Sequence, residues 1–119
     1  MTPSDPSGPV AIAAGRKNPA ESRGLAIVAL ARKLKEGDVQ ARCEAAHDLA
    51  LLADPRVYPL LFQALDDKDP RVRLQAVRGL GHLTALSSEA RRALRAVSDD
   101  PDASVRIHVA KVMRRRGKS

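Results

Sequence analysis

An internal repeat constrains the fold of this chain more than any other feature of its sequence. An arginine recurs at Arg42, Arg73 and Arg106, so that successive copies are separated by 31 and 33 residues. Each copy also carries an aspartate four residues before its arginine; these are Asp38, Asp69 and Asp102. In a helix, this spacing sets acid and base on adjacent turns of one face, with the acid nearer the N-terminus, which is the favourable order. The sequence therefore predicts stacked copies of one small unit.

The clearest copy of the unit runs from Asp69 to Leu83 and includes its own helix start signal. Asp69 is placed to accept from backbone N–H groups that have no partner inside the helix. Pro70 follows at the first helical position, where its missing N–H has no cost. The apolar residues then recur at helical spacing, and they are Val72, Ala76, Val77, Leu80 and Leu83. The segment is therefore predicted to be one amphipathic helix.

Similar start signals divide the rest of the chain into helices joined by short turns rich in Asp and Pro. Asn18-Pro19 with Glu21 predicts a capping box at the start of the first helix. In the third helix, the proline of Tyr58-Pro59 is expected to delay regular helix, because proline disfavours helix at the residue before it. Aromatic residues are only 2% of the chain, so the core must consist of Ala, Leu, Val and Ile, which favours an all-α fold. The predicted helices are 25–36, 38–52, 54–66, 69–83, 87–98 and 103–115.

The alternate helices align as well, since Leu61-Phe62-Gln63-Ala64-Leu65 matches Ala93-Leu94-Arg95-Ala96-Val97. A repeated unit of two helices predicts an α-solenoid, because each unit is too small to bury its own apolar face. Over residues 25–115 the chain resembles the HEAT-repeat family, and most strongly the short HEAT-like repeats of the phycobilisome-lyase type. The resemblance implies a right-handed all-α solenoid of about six helices. It also implies that the six repeated Asp and Arg residues named above form a structural ladder linking neighbouring units.

Three regions are expected along the chain. Residues 1–18 are rich in Pro, Gly and Ser and predict a flexible N-terminal tail. Residues 19–116 form the HEAT-like repeat domain, and residues 117–119 are a basic C-terminal end. A single cysteine excludes an intrachain disulfide, and no apolar run approaches the length of a membrane span, so a cytoplasmic location is expected.

Enzymatic activity is not expected. The chain has no Gly-rich phosphate loop and no nucleophile–base pairing. Its histidines fall at scattered repeat positions, which favours solvated surface residues over a metal site or a catalytic base; they are His47, His82 and His108. Cys43 aligns with Leu74 and Ile107 and is expected to act as a small, partly buried apolar residue. Only Tyr58 and Phe62 offer aromatic walls, so neither a cofactor nor a bilin pocket is predicted.

The remaining candidate is a basic surface. The formal net charge is +7, which favours acidic partners. In HEAT-like solenoids the second helices line a concave face that commonly binds partners, and the resemblance places there Arg32, Gln63 and Arg95, flanked by Lys35, Arg91 and Arg92. The first hypothesis is a scaffold or adaptor that binds a protein with an acidic surface. The alternatives are nucleic-acid backbone binding, an accessory subunit of a lyase or modifying enzyme, and a solvated face that keeps the protein soluble.

The first helix is apolar over much of its circumference, with Ala26, Val28, Ala29 and Ala31 beside its core residues. Terminal repeats of a solenoid need polar outer faces. The outer side of this helix is therefore expected to be covered by the tail, by another copy of the chain or by a partner. A homodimer through the N-terminal helix is one expectation that follows.

Overall fold

The described part of the chain is helical throughout. The computed structural model describes residues 18–83 and 87–117. Within these ranges there are six α-helices, a short 3₁₀ helix at Pro55–Val57 and no strand. The α-helices are α1 (Pro19–Glu36), α2 (Val39–Leu52), α3 (Tyr58–Ala64), α4 (Pro70–His82), α5 (Ser88–Ala96) and α6 (Ala103–Gly117). The predicted all-α solenoid fold is confirmed. Of the predicted tail at 1–18, residues 1–17 lie outside the described residues, as do residues 118–119.

The predicted start signals operate at the first two units. Asn18 accepts from the backbone N–H of Glu21 at 2.8 Å, and the Glu21 carboxylate accepts from the Asn18 N–H in return, so the capping box is present. The helix continues without a break through Gly24. Regular α-helix is delayed to Tyr58, as predicted, and follows the 3₁₀ turn that Asp54 caps. The predicted reason is wrong, however, because Tyr58, the residue before the proline, has a helical backbone with φ −54° and ψ −50°.

The helices form two alternating rows around one core. α4 packs against both α2 and α6, and these three helices form one row; we call them the long helices because they are longer than α3 and α5. α1, α3 and α5 pack beside this row. The core consists of aliphatic side chains, as the low aromatic content predicts. Its largest fully buried members are Leu49, Leu61, Leu80, Leu94, Val57, Val72, Val77, Val105 and Val109. Fully burying one such side chain contributes about 1.5–3 kcal/mol relative to leaving it exposed.

Two glycines on α4 allow the long helices to approach one another closely. A Cβ atom at Gly79 would lie 2.8 Å from the Cβ of Ala50 on α2, and one at Gly81 would lie 2.7 Å from Cγ2 of Val112 on α6. The two crossings occupy equivalent repeat positions, since Ala50 aligns with Gly81 and Gly79 aligns with Val112. Equivalent contacts therefore join α2 to α4 and α4 to α6, and in each of them a glycine of α4 makes the close approach possible.

Candidate functional site

The guanidinium of Arg42 connects two turns of the solenoid. Its Nε and Nη2 donate to the two carboxylate oxygens of Asp67 at 2.9 and 3.1 Å. Its Nη1 donates to the backbone carbonyl of Gly37 at 2.9 Å. One arginine on α2 thus binds the turn before its own helix and the turn before α4. Both side chains of the pair are largely buried.

Arg73 repeats this arrangement one unit further along the chain. Its Nε and Nη2 donate to Asp100 at 2.7 and 2.9 Å, and its Nη1 donates to the carbonyl of Asp67 at 2.8 Å. Asp67 therefore accepts through its carboxylate from one unit and through its backbone from the next. Each arginine–aspartate pair is bidentate, and hydrogen bonds between charged groups are about twice as strong as those between neutral groups.

The carboxylate partner of each arginine is not the aspartate four residues before it. Asp38, Asp69 and Asp102 instead cap their own helices, accepting from backbone N–H groups within the first turn. A capping side chain turns toward the helix end and so away from the residue one turn ahead. The partners Asp67 and Asp100 each stand two residues before a capping aspartate, a spacing that would have identified them from the sequence.

The ion pair at the start of α4 is local. Arg71 donates from Nε and Nη2 to the two oxygens of Asp69 at 3.0 and 2.9 Å. These bonds, together with the Arg71 N–H bond to the same carboxylate, lower the pKa of Asp69 to about 2. The cap therefore stays ionised at neutral pH, which suits the positive end of a helix dipole.

Arg106 ends this series of arginines. Its Nη1 donates to the carbonyl of Asp100 at 2.6 Å, as the two preceding arginines do to their own turns. Its side chain is exposed, and no carboxylate in the described ranges pairs with it. The repeated sequence therefore yields two complete arginine–aspartate pairs and one arginine that keeps only its backbone contact.

The predicted partner-binding residues are distributed over α1, α3 and α5. Arg32, Gln63 and Arg95 occupy equivalent positions on these helices and are exposed, as are Lys35 and Arg92, while Arg91 is half-buried. None of the five cations forms an ion pair within the described residues. We call these six residues the basic face.

A groove of about 600 Å³ lies between α1 and α3 and brings together part of the basic face. Lys35 and Gln63 line it, together with Lys68 and the buried pair of Arg42 and Asp67. The three arginines on α5 do not line this groove. Sequence reasoning missed Lys68, because its acidic neighbours suggested only a capping turn.

The cysteine and the three histidines have no neighbours that would favour catalysis or metal binding among the described residues. Burial raises the pKa of the half-buried Cys43 thiol, which disfavours the reactive thiolate. His47 and His82 are exposed, and the ring of His108 lies 2.9 Å from the carbonyl of Ser104. Among the described residues no group of three or more His, Cys, Asp or Glu side chains is placed to hold a metal ion.

Comparison with known proteins identifies the repeat. Residues 26–114 match a family model of HEAT repeats. No curated protein matches the sequence. In the part of the chain that the structure describes, no helix is both long and apolar enough to cross a membrane.

Proposed function

Because the chain belongs to the HEAT-repeat family, we propose that it is a non-enzymatic protein-interaction module, a scaffold or adaptor whose basic face binds a partner with an acidic surface. HEAT repeats commonly mediate protein–protein interaction. A cytoplasmic location belongs to the proposal, since a lone cysteine suits a reducing compartment.

The observation that carries the proposal is that the cations of the basic face form no ion pair within the described residues. Arg42, Arg71 and Arg73, by contrast, are each bound to a carboxylate of the chain itself. Arg78 and Lys111 on α4 and α6 are unpaired within the same ranges as well, and they therefore serve as controls in the test below. An exposed guanidinium keeps its forked set of donors available, and this fork matches a carboxylate of another molecule.

The groove between α1 and α3 supports the same proposal by its shape. Lys35 and Lys68 stand beside an amide, Gln63, which both donates and accepts hydrogen bonds. An extended acidic segment in this groove would place carboxylates between the two ammonium groups. The arginines of α5, which packs against α3, would extend the contact along the same row.

Nucleic-acid backbone binding is the second candidate, favoured by the formal net charge of +7 and the same unpaired cations. Among the described residues the aromatic side chains are Tyr58 and Phe62, which pack against each other with ring centroids 6.1 Å apart. Such a face suits phosphate contacts rather than base stacking. A weaker candidate, suggested by the resemblance to repeats of the phycobilisome-lyase type, is an accessory subunit of a lyase or modifying enzyme.

The test compares two charge-matched variants of the full-length protein. Arg92→Glu/Arg95→Glu alters the basic face, while Arg78→Glu/Lys111→Glu makes the same change in net charge at exposed positions of α4 and α6. Tagged proteins are used to capture partners from the source lysate, with and without nuclease. The proposal expects one protein to co-purify regardless of nuclease, to be lost with the first variant and to be retained with the second.

The outcomes separate the candidates. Equal loss with both variants would contradict a defined basic face, because it would reflect net charge alone. Bound material that disappears with nuclease, and whose affinity falls steeply with salt, would overturn the acidic-protein proposal in favour of nucleic acid. Enzymatic activity that appears only when a second purified protein is added would identify an accessory subunit.

A further inference from the structure

The series of arginines that joins the repeat units ends with unused donors. In Arg42 and Arg73, Nη1 binds the carbonyl of the preceding turn while Nε and Nη2 bind an aspartate of the next unit. In Arg106 the first of these contacts is present, to the carbonyl of Asp100. The Nε and Nη2 edge of Arg106 has no partner in the described chain. The hydrogen bond to the Asp100 carbonyl thus fixes the guanidinium of Arg106, while its Nε and Nη2 donors have no carboxylate partner among the described residues.

The chain itself shows what this position binds. Both equivalent arginines hold an aspartate from a turn that leads into a helix, and in both cases the aspartate also accepts from the N–H group two residues later. Two internal copies of one interaction define its chemistry: an ionised carboxylate in a helix-start turn. Because the bidentate pair uses both carboxylate oxygens, an arginine held in this way favours a carboxylate over an anion that can accept at one point only.

The start of the solenoid does not supply an aspartate of this kind. The residue two before the capping Asp38 is Glu36, the last residue of α1, and within the described residues no hydrogen bond joins the Asp38 N–H to its carboxylate. Arg42 itself binds the carbonyl of Gly37. A second copy stacked head to tail would therefore present a glutamate at a helix end in place of an aspartate in a helix-start turn, so the occupant is expected to be a different polypeptide.

The outer face of α6 also restricts the form of the occupant. Arg114 stands at the repeat position of Ala50 and Gly81, the small residues over which the next long helix crosses. Ala110 is exposed where its equivalent, Val77, is fully buried. A helix packed as closely as α6 packs on α4 would meet the Arg114 side chain. The face suits a turn that reaches Arg106 without a helix crossing at Arg114.

We propose that Arg106 is a carboxylate-binding site on the last helix that the structure describes and that its occupant is an aspartate-bearing turn of a partner protein. This site lies on α6, apart from the basic face on α1, α3 and α5, and does not depend on it. The role of Arg106 is to bind the carboxylate through Nε and Nη2, while its bond to the Asp100 carbonyl fixes the guanidinium.

The test uses the full-length protein and a probe copied from its own turn. The peptide acetyl-Asp-Asp-Pro-Asp-amide carries the sequence of residues 99–102, and acetyl-Asn-Asn-Pro-Asn-amide is the uncharged control. Arginine Nε–H signals are followed by NMR at mildly acidic pH and constant ionic strength. We expect a saturable shift of the Arg106 signal with the first peptide only, with the signals of the paired Arg42 and Arg73 unchanged.

Two variants complete the test. Arg106→Gln should abolish saturable peptide binding, whereas Arg114→Gln, which removes the same charge from the same helix, should retain it. A shift of the Arg106 signal that does not saturate, or equal binding by both variants, would overturn the proposal, because the peptide would then be responding to positive charge in general. Capture of an acidic partner through the basic face is unaffected by either result, so the two proposals fail independently.

Discussion

Arg73 and Asp100 form an ion pair with two hydrogen bonds that joins consecutive repeat units, with donor–acceptor distances of 2.7 and 2.9 Å. Their side chains are only 13% and 5% exposed. Burial raises the pKa of Asp100, but the bonds from Arg73 and from the Asp102 N–H outweigh it, so that the pKa lies below its ordinary value. Arg73 therefore makes the largest contribution to stabilising the charged form of this carboxylate.

Removing one member of this pair should be strongly destabilising. Asp100→Asn preserves the shape and an acceptor for the Asp102 N–H, but leaves the buried charge of Arg73 uncompensated. We expect the free energy of unfolding to fall by about 3 kcal/mol, measured by urea denaturation. The neighbouring exposed residue supplies a control, because Asp99→Asn should change stability by less than about 0.5 kcal/mol. Equal effects of the two variants would contradict a structural role for the pair.

The helices were predictable from local sequence because their signals lie within a few residues. The capping box at Asn18 and Glu21 and the delayed start of α3 at Tyr58 each depend on residues that are close in the sequence. The family resemblance predicted that the repeated arginines link neighbouring units, but their carboxylate partners, Asp67 and Asp100, were not predicted. The members of these ion pairs are 25 and 27 residues apart, and only the stacking of units brings them together.

The residues of the basic face were predicted from their positions in the repeat, but the groove between α1 and α3 was not predicted. Equivalent positions in the repeat indicated that Arg32, Gln63 and Arg95 share a row, and they are exposed on successive members of that row. Sequence alone did not show that Lys35 and Gln63 share a groove with Lys68, since a groove depends on the spacing of α1 and α3. Nor did it distinguish Arg106 from its two paired equivalents, because Asp67 and Asp100 had been interpreted only as parts of turns.

The cap of α4 should make stability dependent on acidic pH. The pKa of Asp69 is about 2 in the folded protein, against an ordinary value of 3.8. A lowered folded pKa stabilises the protein fully above the ordinary value, and this stabilisation is lost as pH falls toward the folded pKa. We therefore expect the free energy of unfolding to decline between about pH 4 and pH 2.

Substitutions of Asp69 and Arg71 test how much this ion pair contributes to the fall in the free energy of unfolding at acidic pH. Asp69→Asn keeps a good helix cap but cannot ionise, so unfolding midpoints measured across the window should depend less on pH than in the wild type. Arg71→Gln removes the same pair from the other side and should also flatten the decline. Wild-type pH dependence in both variants would mean that other carboxylates account for it.

The crossing of α4 and α6 predicts that an alanine at position 81 is harmful. Helix propensity alone favours Gly→Ala by about 1 kcal/mol. The added Cβ of Gly81→Ala would, however, lie 2.7 Å from Cγ2 of the nearly buried Val112, a side chain that is stiff at χ1. Overpacking of this kind costs about 1–3 kcal/mol, so we expect a net loss of stability of about 1 kcal/mol in urea denaturation.

A double-mutant cycle and a second glycine test this explanation. In a Val112→Ala background the steric conflict is removed, and Gly81→Ala should become neutral or stabilising. Gly24→Ala on α1 is the matched control, since its nearest neighbour is the end of the long Arg56 side chain at 3.1 Å, and it should stabilise. Identical effects of Gly81→Ala in both backgrounds would rule out the contact with Val112.

The predicted homodimer through α1 has its own physical basis and test. Leu25 and Val28 are 56% and 67% exposed, one helical turn apart, and line an apolar groove of about 510 Å³ that Arg56 borders. Burial of this surface against a second copy would remove both from water, and a two-fold interface would use the same patch on each chain. Sedimentation at rising concentration should show a dimer that Val28→Lys abolishes and that Ile107→Lys, at another exposed apolar position on α6, leaves intact. A monomer at every concentration would exclude this interface and leave α1 to a different partner.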